Sequence, residues 1–233
     1  MDFTNHRLWP LFSINGHTAY ITQSILGTWI VMAVLFIFTA AVRHKMKTFK
    51  DTPKSGSLQN LIELAVETMN NMARSNLGHN LSWLGSYFFG VFAFILLCNY
   101  SGLFKLRPPT ADLATTLALA LNTFVLIHVL GFVNRKGEYL KDYLKPVFLF
   151  LPMNIIGELS RPVSLSFRLF GNILGGTIML DLLYVSLPVL FRVALPTPIH
   201  VYLDIFVGAL QSFIFCVLSM TFINEKASDE EHE

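Results

Sequence analysis

Residues 146–191 read PVFLFLPMNIIGELSRPVSLSFRLFGNILGGTIMLDLLYVSLPVLF, and this apolar stretch is about twice as long as one membrane crossing requires. A helix of about 20 apolar residues spans a hydrocarbon core of about 30 Å. The stretch nevertheless contains charged residues, among them Arg161, Arg168 and Asp181. An arginine at the membrane centre costs about 2.5–3.5 kcal/mol on insertion scales, so charges there usually serve a function. The sequence therefore predicts a long, steeply tilted helix that carries a functional site.

Further apolar stretches on both sides of this segment predict the rest of the fold. The chain is 53% hydrophobic and 14% charged, a composition typical of a membrane protein. We therefore predict an all-α polytopic membrane protein that forms a single domain, 1–233, with five transmembrane helices, the last two of them long and tilted. The predicted spans are 20–42, 83–104, 112–134, 146–191 and 197–224.

One helix is predicted to lie outside the spans, at 57–77, because its apolar residues follow helical spacing and polar residues fill the other positions. Ser57 is a plausible N-cap. Such a helix fits a segment on the cytoplasmic membrane surface. A helix packed on other protein is the equally weighted alternative. The apolar positions are Leu58, Leu61, Ile62, Ala65, Met69 and Met72.

Lysine and arginine in the connecting segments predict the orientation, because basic residues are retained on the cytoplasmic side. They concentrate after the first and third spans, whereas the opposite connections hold only Lys105 with Arg107 and, later, Arg192. We expect the N-terminus outside and the C-terminus in the cytoplasm. The retained basic residues are Arg43, Lys45, Lys47, Lys50, Lys54, Arg135, Lys136, Lys141 and Lys145.

Several function classes are excluded by composition and motifs. A net charge of +2 provides no basic surface for nucleic acid. Cys98 and Cys216 lie in apolar spans without CxxC spacing, which argues against redox chemistry. HExxH, GxSxG and paired-cysteine motifs are lacking, so we expect no metal, no cofactor and no enzymatic activity of the chain alone.

The first 19 residues lack the pattern of a signal peptide or an organellar transit peptide. We therefore expect a bacterial plasma (inner) membrane. An organelle-encoded protein would lack a transit peptide as well.

Arg168 is the main candidate site residue, since apolar residues surround it and no acid stands three or four positions away. A guanidinium stays protonated in proteins, so Arg168 is a permanent positive charge. Steps of three or four residues place it on one helix face with other polar or small residues, which predicts that something approaches this face closely. The alternative is tight packing against the last span, with Arg168 bonded internally. The face comprises Arg161, Ser164, Arg168, Asn172 and Gly175.

The last span carries a matching face with His200, Asp204, Gly208 and Gln211 at spacings of four, four and three. We expect both faces to border one cleft. An unpaired carboxylate inside a span favours its neutral form, so Asp204 suits proton transfer. With the predicted orientation, Arg168 and Gln211 separate an outer and an inner group of titratable residues. The outer group is Asp112, Asp181, His200 and Asp204, and the inner group is Glu158 and Arg161.

Less specific interpretations stay open for several of these residues. Asp112 follows two prolines and could simply be a charge favoured at a helix start. Glu158 and Arg161, three apart, are expected mainly to neutralise each other. His200 could be an interfacial side chain, and His128 is expected to be a packed residue with a hydrogen bond.

Three segments resemble the ATP synthase subunit a family: ELSRPVSLSFRLFGN at 158–172, PPTAD at 108–112 and QSFIF at 211–215. The resemblance implies that the last two helices lie against a rotating ring of c subunits, each bearing one membrane-embedded carboxylate. It also implies peripheral stalk b subunits as partners. The family's essential arginine corresponds to Arg168, its asparagine to Asn172 and its last-helix glutamine to Gln211. Two offset half-channels are expected to reach the ring from opposite sides.

The chain departs from some members of that family in the outer half-channel, where an acid and a histidine are common. Thr177 and Asp204 stand at the corresponding positions, so the proton-transfer role is expected on Asp204, assisted by His200 or Asp181. Ions would leave through an inner half-channel near Asn154, Glu158 and Ser160. Whether the ion is a proton or sodium is decided on the ring.

Two rival classes explain fewer features. An ion-coupled secondary transporter also places charges at the membrane midplane, but it should show two related halves, which this sequence lacks. A membrane enzyme should show a metal-ligand set or an activated nucleophile.

Overall fold

A computed structural model describes residues 7–14, 17–46, 58–78, 80–104, 106–142, 148–188, 191 and 196–227. Several expectations lie outside these residues. They are the N-cap Ser57, the basic residues Lys47, Lys50, Lys54, Lys105, Lys145 and Arg192, and both ends of the long apolar stretch, 146–147 and 189–190.

Helices make up most of the described chain. Five helical segments are long and apolar enough to cross a membrane, at Gln23–Met46, Ser82–Phe104, Leu113–Lys136, Leu151–Ser186 and Pro196–Ala227. The predicted all-α polytopic class with five spanning helices is confirmed. The α-helices are α1 (Gln23–Met46), α2 (Leu58–Leu77), α3 (Gly85–Tyr100), α4 (Leu113–Asp142), α5 (Leu151–Ser186), α6 (Pro196–His200) and α7 (Gly208–Ala227).

A β-hairpin precedes the first helix and was not predicted. Strand β1 (Arg7–Ile14) pairs antiparallel with β2 (His17–Thr22). Proline lacks an N–H group and is tolerated at strand edges and irregular positions. Pro10 pairs with Tyr20 next to a register shift, which accommodates it.

The last two spanning segments contain 36 and 32 residues. At about 1.5 Å per residue, α5 is about 54 Å long, so it must tilt or extend beyond a hydrocarbon core of about 30 Å. Pro162 lies inside α5 and cannot donate to the Glu158 carbonyl one turn earlier. The last segment contains a π-helix, Val201–Val207, between α6 and α7.

Helix α4 is kinked at Lys136, whose φ of 47° and ψ of −120° are non-helical. The side chain of Tyr139, only 4% exposed, packs where α4 has a glycine. A Cβ added at Gly131 would lie 2.6 Å from Tyr139 Cε2. A side chain larger than glycine at position 131 would therefore require Tyr139 to move.

The chain divides into two compact units. The second unit comprises 42–92, 117–166 and 213–233, and its core joins α2, α3, α4 and α7. In α2, Met69, Ala73 and Leu77 are buried in this core, whereas Leu61 and Leu64 are 69% and 61% exposed. The second half of α2 is thus packed on protein, as one of the two alternatives expected.

The first unit comprises 1–41, 93–116 and 167–212. Helix α1 packs through Gly27, where an added Cβ would lie 3.3 Å from the Pro109 ring. Elsewhere α1 exposes large apolar side chains such as Trp29 and Phe36, the latter 76% exposed. Apolar exposure on this scale is typical of a surface that meets lipid.

Candidate functional site

The first unit contains a cavity of about 760 Å³, here called the polar cavity. Apolar side chains form most of its wall, and titratable groups from three parts of the chain face it. All four residues of the predicted outer group line it, as does Asn172. The four are Asp112, Asp181, His200 and Asp204.

Asp112 stands at the start of a helix, as one of the two interpretations considered for it expects. It immediately precedes α4, and its Oδ1 accepts a hydrogen bond of 3.1 Å from the Ala114 N–H. A carboxylate at this position stabilises a helix start. Asp112 also lines the polar cavity, so the helix start and the cavity share one carboxylate.

Asp204, His200 and Tyr184 form a connected series of polar groups. Asp204 Oδ2 lies 2.9 Å from His200 Nδ1, and His200 Nε2 lies 3.1 Å from the Tyr184 hydroxyl. All three residues line the polar cavity. The carboxyl, imidazole and phenol groups can each donate or accept a hydrogen bond, depending on protonation. A proton can therefore pass along the series from one group to the next. Both contacts are compatible with either interpretation of His200.

Tyr184 was missed by sequence reasoning. The signal was its position three residues after Asp181, which places the two on the same side of α5.

Asp204 lies within the π-helix Val201–Val207 rather than in a regular α-helix. Single π-helical turns inside α-helices occur frequently at functional sites. The uniform spacing assumed for the last span is therefore locally wrong. The structure still brings Asp204 and Gln211 into the same unit.

Thr177 lines the same cavity as Asp204. Its hydroxyl donates a hydrogen bond of 2.8 Å to the Ile173 carbonyl within α5. Thr177 cannot titrate at neutral pH, so Asp204 and Asp181 provide the carboxyl groups on this side of the cavity.

Arg168 is exposed on α5. Across the described ranges it makes no hydrogen bond or ion pair with another residue. The interpretation in which Arg168 is bonded internally to amides or carbonyls thus finds no support in the described part of the chain. The guanidinium has all five of its N–H donors available to groups from outside.

Asn172 and Gln211 are in direct contact. Asn172 Nδ2 donates a hydrogen bond of 3.1 Å to Gln211 Oε1, which joins α5 to α7 within the first unit. Gln211 is 4% exposed, so its amide is held in a buried position.

The inner group forms an ion cluster in the second unit, defined by Glu158, Arg161, Glu225 and Lys226. Lys226 Nζ lies 2.6 Å from Glu158 Oε1, and Arg161 Nη2 lies 2.6 Å from Glu225 Oε1. Arg161 Nε is also 3.6 Å from Glu158 Oε2. The expected contact between Glu158 and Arg161 is present, but each of the two residues has a shorter contact to α7: Glu158 to Lys226 and Arg161 to Glu225. Sequence reasoning missed Glu225 and Lys226, although two adjacent opposite charges at the end of a span were a signal.

Comparison with known proteins assigns the chain to a family. The sequence profile of the family described as ATP synthase A chain matches residues 25–224. A chloroplastic ATP synthase subunit a from Stigeoclonium helveticum is 31% identical over 239 aligned positions, covering 96% of this chain and 90% of the relative. The chloroplastic subunit a from Oedogonium cardiacum is 32% identical, covering 96% of this chain and 88% of the relative.

Proposed function

The chain belongs to the family of ATP synthase A chains, and on that premise we propose that it is the ion-translocating stator subunit of a rotary ATP synthase. It is a multi-pass membrane protein. In this proposal it provides two offset half-channels to the carboxylates of a rotating ring of c subunits, and Arg168 separates them. The observation that carries the proposal is the exposed, unpaired guanidinium of Arg168 within a membrane-spanning helix of the described chain.

The polar cavity supports an outer half-channel. Its wall combines titratable groups with an apolar lining. Ionisable side chains within a membrane usually face a water-filled cavity, so this wall fits a space that holds water and protons better than one filled by lipid or by packed side chains. An ion entering there would pass Asp112 and Asp181 and reach Asp204, whose proton His200 can exchange. Asn172, four residues and thus about one turn after Arg168 on α5, borders the same cavity.

Arg168 then controls the ring. A ring carboxylate that approaches a fixed guanidinium favours its charged form, because an opposite charge within about 4–6 Å stabilises ionisation. A carboxylate that leaves Arg168 takes an ion from the outer half-channel, becomes neutral and can turn into lipid. The fixed positive charge also repels protons that would cross without rotation. Each charge moved through 100 mV carries about 2.3 kcal/mol, so such a leak would dissipate much of the driving force.

The inner half-channel is proposed at the beginning of α5, near Asn154, Glu158 and Ser160. Ser160 is exposed, and its hydroxyl donates to the Gly157 carbonyl at 2.7 Å. Glu158 is 6% exposed and paired with Lys226. This burial fits a carboxylate that holds α5 and α7 together while the ion leaves past Asn154 and Ser160.

The ring is proposed to lie against the small and polar face of α5. Gly171 and Gly175 are exposed, and a Cβ added at either would meet no atom of the described residues within 4 Å. In membranes, small residues allow the backbones of two helices to approach closely. The part of the chain that the structure describes leaves space open at these two glycines, which supports a helix from another subunit as its occupant. Stalk b subunits complete the proposed partners.

The orientation and the compartment remain predictions from the sequence. The N-terminus is expected outside and the C-terminus in the cytoplasm, from the distribution of basic residues. A bacterial plasma membrane is the expected location, whereas the two relatives are chloroplastic.

The test is ATP-driven proton uptake into vesicles that contain the reconstituted complex, with native chain or Arg168→Gln. We expect Arg168→Gln to assemble and to lose proton uptake. Phe167→Leu is the matched control, because Phe167 is the exposed apolar neighbour on α5 and should keep normal uptake. Normal uptake by the assembled Arg168→Gln complex would overturn the proposal.

A further inference from the structure

A buried amide from α3 contacts the junction at which the π-helix ends and α7 begins. Asn99 is 3% exposed, and its Nδ2 donates to the Gly208 carbonyl at 3.0 Å and to Ser212 Oγ at 3.4 Å. Its Oδ1 accepts a hydrogen bond of 2.9 Å from the Thr110 hydroxyl. Thr110 and Ser212 are fully buried. The Asn99 amide is therefore bonded at both its nitrogen and its oxygen.

The packing around this junction is close. A Cβ added at Gly208 would lie 3.3 Å from Asn99 Cβ and 3.6 Å from a Tyr100 ring carbon. The Tyr100 hydroxyl donates to the Ile205 carbonyl, inside the π-helix, at 3.3 Å. Two consecutive residues of α3 thus bond to carbonyls on either side of the π-to-α junction.

A π-helical turn holds one more residue than an α-helical turn. Residues before the turn are therefore displaced by one position, about 100° around the axis, relative to an uninterrupted α-helix that continues α7 backwards. Asp204 lies within the turn, and Gln211 lies after it. If this turn became a regular α-helical turn, it would hold one residue fewer, and Ile205 would occupy the angular position that Asp204 has now. Asp204 would then rotate away from the polar cavity.

We propose that Asn99 is a positioning residue that stabilises the π-helical register of 201–207 and thereby keeps Asp204 directed into the polar cavity. Asn99 itself is not required to exchange protons. The inference uses the proposed function only for the consequence on pumping; the register itself is a property of the fold. A buried amide that loses its partners is destabilised, so the network formed by Asn99, Thr110 and Ser212 favours the one register that satisfies it.

The test uses thiol labelling of the assembled complex in vesicles. In a Cys98→Ala and Cys216→Ala background, single cysteines replace Asp204 or Ile205, and a water-soluble maleimide is added. With Asn99 present, the Asp204→Cys variant should react and the Ile205→Cys variant should react slowly, because residue 204 is among the residues that line the cavity and residue 205 is not.

With Asn99→Leu, we expect the two labelling rates to change in opposite directions by about tenfold, the effect of losing one to two net hydrogen bonds on a two-state equilibrium. Asn122→Leu is the control, because Asn122 is another asparagine in a span and bonds to Tyr87 instead. Thr110→Val should give a smaller shift in the same direction, and it replaces Asn99→Leu as the test if that variant does not assemble.

Unchanged labelling at both positions in an assembled Asn99→Leu or Thr110→Val complex would overturn the inference. Reduced labelling at both positions, without the gain at 205, would also overturn it, since that pattern indicates general closure of the cavity. Because labelling does not require pumping, its outcome is independent of whether Arg168→Gln abolishes proton uptake.

Discussion

The Asn172 side chain donates a hydrogen bond of 3.1 Å to Gln211, while Arg168, four residues earlier on α5, is bonded to none of the residues that the structure describes. The amide pair joins α5 to α7 about one helical turn from Arg168 in the sequence of α5. This contact can hold the two helices in place without consuming the positive charge.

Asn172 and Gln211 are expected to act as a unit. Asn172→Leu and Gln211→Leu should each slow ATP-driven proton uptake, and the double variant should lose less than the product of the two effects. Hydrogen bonds between membrane helices contribute about 0.6 kcal/mol on average, so we expect a deviation of about threefold or more. Asn122→Leu, which removes the bond to Tyr87 elsewhere in the chain, is the control and should pump normally. Strictly multiplicative losses would contradict a coupled pair.

Asp204 is expected to carry the exchangeable proton of the polar cavity. Asp204→Asn should reduce proton uptake on the order of 10²-fold, the usual contribution of a positioned acid or base. Because Thr177 lines the same cavity, Thr177→Asp should restore part of the rate in the Asp204→Asn background. Thr177→Val removes the hydroxyl without adding a carboxyl group and should restore nothing. Equal restoration by both substitutions would show that packing, rather than a titratable group, limits the rate.

Space beside Gly171 is expected to be filled by a ring helix. Gly171→Leu should leave the chain folded, because an added Cβ meets no neighbour, but should reduce co-purification of the ring. The control is Gly90→Leu on α3, which is exposed and equally free of neighbours within 4 Å. Co-purification of chain and ring is measured for both variants. If Gly90→Leu reduced it as strongly as Gly171→Leu, the ring would not be assigned to the Arg168 face.

The two short ion pairs of the ion cluster, Lys226 with Glu158 and Arg161 with Glu225, are expected to contribute unequally to the free energy of unfolding. Lys226→Met leaves Glu158 without its closest partner, and breaking a buried pair costs about 3–5 kcal/mol. Glu225→Gln affects a carboxylate that is 49% exposed, where ion pairs contribute about 0–1 kcal/mol. The thermal midpoint of the purified complex should therefore fall much further for Lys226→Met. Adding Glu158→Gln to Lys226→Met should recover much of the loss, and a further fall instead would argue against the pair.

Much of the fold followed from the sequence because lipid imposes a simple length rule on apolar helices. The five spanning helices and α2 were predicted from hydrophobic length and helical spacing. The hairpin of β1 and β2 was not, since a two-stranded element with a proline gives little alternating pattern. The kink at Lys136 was not predicted either, because neither a proline nor a glycine stands at that position.

The candidate site was predictable where helical spacing alone brings groups together. His200 and Asp204 are one such pair, and Glu158 and Arg161 are another. Contacts between distant segments were beyond that reasoning. Asn99 and Lys226 meet Gly208 and Glu158 only because of how the helices pack, and a regular α-helix was assumed where the chain forms a π-helix.

The π-helix of 201–207 also has an evolutionary meaning. A single inserted residue in an α-helix would rotate everything on one side of it, and a π-helical turn absorbs such an insertion locally. The part of the helix before Gly208 could therefore change its register, and with it the side chains that line the polar cavity, while the pairing of Gln211 with Asn172 stays intact. Substitutions that change the side chains lining the polar cavity thus need not disturb the contact between α5 and α7.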